Sequence, residues 1–310
     1  MGTPDFSVPA LNALVEGGHD VIAAVTQPDK PKGRGKSILM PPVKARALEL
    51  GIPVYQPVRV KKDEEFLQKM KELAPDVMVV IAFGQILPKA LLDVPKYGCV
   101  NIHASLLPKY RGAAPIQWSV IDGEAVTGIT TMMMDEGLDT GDMLEKVEIP
   151  LEEKETGGSL HDKLSMAGGK LILSTLEKIE HGTIVRTPQT EEGTCYASML
   201  TKALGDIDWT KDAVSIERLV RGLNPWPSAY TSYEGKTLKI WEAKVSSEHA
   251  DGACGQIIKL DKDTIWVKTG DGLLGVKELQ LEGKKRMKTD AFLRGFSMTE
   301  GTVLVPGHKE

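Results

Sequence analysis

A chain of 310 residues, 41% hydrophobic and 26% charged, has enough apolar material for two buried cores and too much for bulk disorder. Its three cysteines, Cys99, Cys195 and Cys254, form no CxxC pair, which argues against a disulfide framework and a thiolate zinc site, and no apolar run approaches the ~18 residues that span a bilayer. The formal charge is −5, which speaks weakly against a nucleic-acid partner; no basic-then-apolar leader opens the chain, and a reducing cytoplasm is the expected location.

The chain opens Met1-Gly-Thr-Pro-Asp-Phe-Ser7, a turn that leads into a helix over residues 7–15. A strand is expected over 20–26, after the Gly17-Gly18 turn, and helices over 43–50 and 64–73. The apolar run 75–82 is a second strand and 99–103, after Gly98, a third. A helix over 114–121, a strand over 127–134 and a long helix over 160–179 follow. Strand and helix alternating at this pace imply βαβ units, so an α/β, Rossmann-like fold with a mostly parallel sheet is expected. In such a sheet the first strand is usually central and precedes the glycine turn. This chain begins at the turn, so a strand upstream of Met1 is expected.

Beyond residue 183 the pattern changes. Pro188 and Thr190-Glu-Glu-Gly193 read as a connecting segment, followed by a helix over 213–221 and short strand-like runs at 229–233, 236–243, 255–260, 264–269 and 273–281. Five short strands with turn signals suggest a small β-barrel of the oligonucleotide-binding type. The expected organisation is a domain over 1–188, a linker over 189–205 and a barrel domain over 206–310.

Charge is unevenly spread. Six bases (Lys30, Lys32, Arg34, Lys36, Lys44, Arg46) and no acid lie between residues 30 and 46, and five bases stand against one acid between 284 and 294. Such stretches can steer a polyanion even on an acidic protein, or can be solvated loops.

Asn101 and His103 alternate with Val100 and Ile102, which puts both polar residues on one face of a strand, at its carboxyl end. Ligands bind beyond that end in open α/β sheets, although a hydrogen-bonded core pair would look the same. The next loop, Pro108-Lys-Tyr-Arg-Gly-Ala-Ala-Pro115, has the composition of a shaped binding loop. The acidic loop Asp135-Glu-Gly-Leu-Asp-Thr-Gly-Asp142 admits three readings: a metal site, a carboxylate orienting His103, or a solvated turn. Its spacing does not match a calcium loop. Ser105 lacks the Gly-x-Ser-x-Gly setting of a nucleophile, and Gly35-Lys-Ser37 lacks the first glycine of a phosphate loop.

Seven segments carry a wider pattern: Gly2-Thr-Pro-Asp-Phe6, Gln27-Pro-Asp29, Gly33-Arg-Gly-Lys36, Asn101-Ile-His-Ala-Ser-Leu-Leu-Pro108, Arg111-Gly-Ala-Ala-Pro-Ile-Gln117, Gly137-Leu-Asp-Thr-Gly-Asp142 and Asn224-Pro-Trp-Pro227. Together they resemble the methionyl-tRNA formyltransferase family over essentially the whole chain, without that family's usual first strand. The resemblance implies transfer of the formyl group of 10-formyltetrahydrofolate to the amino group of methionyl initiator tRNA, for translation initiation. It implies Asn101, His103 and Asp139 as catalytic residues. It places the folate against Phe83, Gly84, Gln85, Ile86, Leu87, Ser105, Leu106, Leu107, Pro108, Asp135, Gly137 and Asp142. Arg34, Lys36, Lys284, Lys285 and Arg286 are the expected tRNA contacts. No metal, DNA or membrane partner is expected, and the chain is expected to be a monomer. Three other readings stay open: a formyltransferase for a small amine, an RNA-binding module with a degenerate catalytic domain, and hydrolysis of the formyl-folate.

Overall fold

The computed structural model describes residues 1–31 and 38–307. The chain divides into two compact units. The first comprises Met1–Pro115, Val126–Pro150 and His161–Ala197; the second comprises Ile116–Ala125, Leu151–Leu160 and Ser198–Glu310.

The strands up to the end of the first unit are β1 (Ala24–Val25), β2 (Lys30–Pro31), β3 (Ile38–Leu39), β4 (Val54–Tyr55), β5 (Met78–Val80), β6 (Cys99–His103), β7 (Arg111–Gly112), β8 (Val126–Met133), β9 (Met143–Pro150) and β10 (Tyr196–Ala197). The helices over the same stretch are α1 (Val8–Glu16), α2 (Pro42–Glu49), α3 (Glu64–Leu73), α4 (Lys89–Leu92), α5 (Pro115–Ile121) and α6 (Gly157–Glu180). Local chemistry fixes their ends. Pro9 lies in the first turn of α1 and Pro42 starts α2, where a missing N–H costs nothing, and Asp63 caps α3 by accepting from the Phe66 N–H at 2.8 Å.

The main sheet of this unit runs β5-β6-β8-β9. Only β5 and β6 are parallel; β8 runs antiparallel to β6, and β9 antiparallel to β8. The sheet is therefore mixed, which corrects the expectation of a mostly parallel one. The interior of β8 is buried on both faces although three threonines and a glycine stand among its apolar residues, and burial says nothing about direction. Strand β9 was not expected at all. It is the sheet's edge, and it carries exposed Lys146 and Glu148, the charged decoration that edge strands tolerate.

In the second unit, helices α7 (Ala213–Gly222) and α8 (Thr289–Gly295) accompany β11 (Ala229–Tyr233), β12 (Lys236–Ser246), β13 (Ile257–Asp261), β14 (Thr264–Lys268), β15 (Leu273–Leu281) and β16 (Met287–Lys288). Asp212 caps α7 by accepting from Ser215 N–H at 2.8 Å. The strands form one antiparallel sheet in the order β11-β12-β15-β14-β13, with β16 added on β15. Residues such as Trp209, Ile216, Ile240, Val267, Leu279 and Phe292 make its core. The expected barrel is not there: among the described residues β11 and β13 are edges and do not pair with each other. Single bridges from Val305 to Ser232 and from Val303 to Gln256 touch both ends of the sheet without forming a closing ladder. Strand number and alternation are readable from sequence, but closure depends on which edges meet, and alternation is the same in open and closed sheets.

In the first unit, β1 pairs with β4 on one side only, and Asp20–Ala23 form no ladder although a strand was expected across them. Between β1 and β5 lie Met1 and Gly2. Gly2 N–H donates to the Val25 carbonyl at 2.9 Å, Ile81 N–H donates to the Met1 carbonyl at 2.9 Å, and the Met1 amine donates to the Val79 carbonyl. Beyond Met1 the gap opens into a cavity of about 390 Å³, walled by residues including Val21, Ala23, Leu73, Val77 and Val79.

Candidate active site

Strand β6 is buried along its whole length, and its last residue is His103, 6% exposed. The ring is held at Nε2, which lies 2.8 Å from the Tyr110 carbonyl oxygen. A carbonyl only accepts, so Nε2 carries the proton and the neutral ring has its lone pair on Nδ1. Nδ1 faces Asp139 Oδ2 at 3.7 Å. Two acceptors meet there when the ring is neutral, and an ion pair forms when it is charged.

Asp139 lies on the loop between β8 and β9, with a left-handed φ of 54°. Its Oδ2 accepts from the Gly112 N–H at 2.8 Å. The ring is thus oriented by Tyr110 and the carboxylate by Gly112, where the sequence reading had Asp139 orienting the ring. Asn101 is buried two residues before His103, and no described residue donates to or accepts from its side-chain amide, which leaves it available to a ligand.

The other expected residues fall into distinct groups. Phe83 and Leu87 are core residues, 2% and 3% exposed, and Gln85 is spent on Val60 N–H and the Pro57 carbonyl. Ile86, 78% exposed, is the apolar side chain of that segment that faces outward, beside Gly84 in a left-handed turn. The segment from Ser105 to Pro108 is braced: Ser105 Oγ donates to the Lys109 carbonyl, Thr130 bridges the Ser105 carbonyl and the Leu107 N–H, and Lys146 reaches the Leu107 carbonyl. Leu107 is buried, while Leu106 and Pro108 are half-buried. Asp135 stabilises its own turn by accepting from Gly137 N–H and from Thr140 Oγ1 at 2.7 Å. Asp142 anchors the loop through its backbone carbonyl, which accepts from Met133 N–H.

Among the expected tRNA contacts, Arg34 and Lys36 lie outside the described residues. In the same stretch Lys44 pairs with Asp29 at 2.7 Å and Arg46 with Glu49 at 2.9 Å, while Lys30 is exposed. In the second unit Lys284 and Lys285 are exposed. Arg286 pairs with Glu278 at 2.7 Å and lies over the Trp241 ring, and this pairing holds the Glu278 carboxyl below the usual carboxylate range. Sequence reasoning missed the Tyr110 carbonyl, the Gly112 N–H and Lys146. Backbone groups leave no mark in side-chain patterns, and Lys146 sits on the strand that was not expected.

An α/β unit with a His–Asp pair at a strand's carboxyl end is joined to a second, all-antiparallel unit, and both units match the formyl transferases in sequence. Residues 1–176 match the formyl transferase family, and residues 199–297 match the formyl transferase C-terminal domain. The chain belongs to the methionyl-tRNA formyltransferase family. It is 56% identical to the methionyl-tRNA formyltransferase of Agathobacter rectalis over 302 residues, 97% of each chain. It is 52% identical to that of Clostridioides difficile over 304 residues, 98% of each chain. Among solved structures, an N-formyltransferase from Helicobacter canadensis in complex with folinic acid and dTDP-3-aminofucose aligns with a TM-score of 0.68 at 17% identity, over 92% of this chain and 97% of that one. HypX of Aquifex aeolicus in complex with tetrahydrofolic acid aligns at 0.57 with 20% identity, over 85% of this chain and 47% of that longer one. These two likenesses concern the fold.

Gly112 leaves no room for a side chain. Its φ is 110°, and an added Cβ would lie 2.8 Å from the Ala197 carbonyl oxygen. Gly112→Ala should therefore shift the N–H that holds Asp139, lowering stability by about 1–3 kcal/mol and turnover with it. Thermal melts and initial rates on the purified variant check both. Unchanged values would show that the strand can move aside freely.

Proposed function

We propose that Asn101, His103 and Asp139 carry the formyl transfer from 10-formyltetrahydrofolate to methionyl-tRNA. The observation that carries this reading is the fixed tautomer of His103, with its free Nδ1 turned toward a carboxylate. The neutral α-amine attacks the formyl carbon and a tetrahedral oxyanion forms. The Asn101 amide donates to that oxyanion, a contact worth about 3 kcal/mol in comparable holes. His103 Nδ1 takes the amine's proton, and Asp139 stabilises the imidazolium that results. The intermediate collapses with cleavage of the bond between the formyl carbon and the folate nitrogen. The imidazolium returns its proton to that nitrogen, so the ring ends neutral. Among the described residues no group of three or more His, Cys, Asp or Glu side chains could hold a metal ion.

The folate is assigned to the surface formed by Gly84, Ile86, the Ser105–Pro108 turn and the 135–142 loop. Their backbone groups can read a pterin's donor and acceptor edge, and Ile86 supplies an apolar wall. The tRNA is assigned to the basic stretch 30–46 and to Lys284 and Lys285 of the second unit, through phosphates, which positions the RNA without reading its sequence. A cytoplasmic location fits this reading: the three cysteines are free, and no helix among the described residues is long and apolar enough to cross a membrane.

Formyl transfer to methionyl-tRNA, assayed against a panel of small amines, tests the acceptor. His103→Ala and Asp139→Ala should each lower kcat by about 10²-fold or more, Asp142→Ala by less, and chelators should leave the rate unchanged. Wild-type turnover in His103→Ala would end the assignment. For the tRNA contact, Arg34→Ala should weaken tRNA binding and lower the salt slope of log affinity by about 0.7, leaving folate binding unchanged. Fluorescence titrations at several salt concentrations measure this. An unaltered slope would make the loop a solvated surface and favour a small-amine acceptor.

A further inference from the structure

The segment expected to be a linker contributes a side chain to the site. Residues 185–188 and 190–193 are exposed, but Gln189 between them turns inward. Its Nε2 donates to two backbone carbonyls, those of Asp139 and Gly141, both at 2.8 Å. Its Oε1 accepts from Arg111 Nε at 2.9 Å. Arg111 is 2% exposed, a charged side chain that must be partnered where it lies. The amide has one orientation available: turned over, it would set its NH₂ against the guanidinium and its oxygen against two carbonyls.

Three consecutive residues then hold the reacting pair. The Tyr110 carbonyl fixes His103, the Gly112 N–H holds the Asp139 carboxylate, and the Arg111 side chain between them anchors Gln189. Gln189 grips the backbone on both sides of Thr140. Asp139 needs such a grip, since its left-handed φ is unfavourable for a residue with a Cβ, and its neighbours Glu136, Gly137 and Leu138 are exposed.

We infer that Gln189 is a positioning residue for formyl transfer, acting through the backbone of the Asp139 loop to set that carboxylate against His103. This rests on the catalytic assignment of Asp139. The two ends of the amide have separable duties: the oxygen keeps Arg111 partnered and so supports the fold, and the nitrogen keeps the loop in place and so supports the reaction.

Gln189→Glu retains an acceptor for Arg111 and loses the donor to the loop; Gln189→Met loses both. Melting, kcat and KM for methionyl-tRNA are measured for each, with Asp139→Ala alone and combined with Gln189→Glu. The expected result is that Gln189→Glu, which keeps a partner for Arg111, loses less stability than Gln189→Met but turns over at least about tenfold more slowly than wild type, with KM for methionyl-tRNA altered by less than about twofold. Gln189→Met falls in both stability and rate. The double variant is no slower than Asp139→Ala, because both changes remove one function. If Gln189→Glu turns over at the wild-type rate while Asp139→Ala is slow, Gln189 has no positioning role and the catalytic assignment stands. If Asp139→Ala itself turns over at the wild-type rate, the catalytic assignment fails and this role fails with it. Multiplicative losses in the double variant also overturn it.

Discussion

The hydrogen bond between His103 Nε2 and the Tyr110 carbonyl is the constraint on which the proposed chemistry depends. It puts the proton of the neutral ring on Nε2. The ring's lone pair then lies at Nδ1, which faces the Asp139 carboxylate. A carboxylate at 3.7 Å from a neutral ring gains little, but the same carboxylate gains much once the ring is charged. The interaction is therefore stronger after proton transfer than before, which is the condition for lowering a barrier instead of deepening a ground state.

The architecture serves that one bond. Strand β6 is buried on both faces and presents His103 at its end as a rigid post. The turn that follows is braced by Ser105, Thr130 and Lys146, and it delivers the Tyr110 carbonyl to the ring. Tyr110 itself has a left-handed φ of 59°, and Arg111 and Gly112 pair immediately with Tyr196 and Ala197. The short β7–β10 ladder thus ties the loop to a segment far along the chain, and the strain at Tyr110 is held by its neighbours' pairing.

Much of this was legible in the sequence. The apolar runs marked β5, β6 and β8, and the period-2 placement of Asn101 and His103 at a strand's end marked the site. What could not be read has physical causes. The direction of β8 was hidden because the residues of a doubly buried strand record its burial and not its orientation. The open edge between β11 and β13 was hidden because alternation is indifferent to closure. Gln189 was hidden because a single polar residue among Pro188, Thr190 and Glu191 has the composition of a connector, and its partners are carbonyls that any residue could supply. Phe83 and Leu87 showed the opposite failure: as apolar residues in a loop they looked like pocket walls, and they are core.

The contacts that hold the reacting pair come largely from the main chain: the carbonyls of Tyr110, Asp139 and Gly141 and the N–H of Gly112. Main-chain groups are the same whatever side chain they carry. Substitutions at outward-facing positions such as Glu136, Leu138 and Ile86 can therefore drift without disturbing the alignment of His103 and Asp139. A scaffold built this way separates the alignment of the pair from the makeup of the surface assigned to the folate, so that surface can be remodelled in small steps without moving His103 or Asp139.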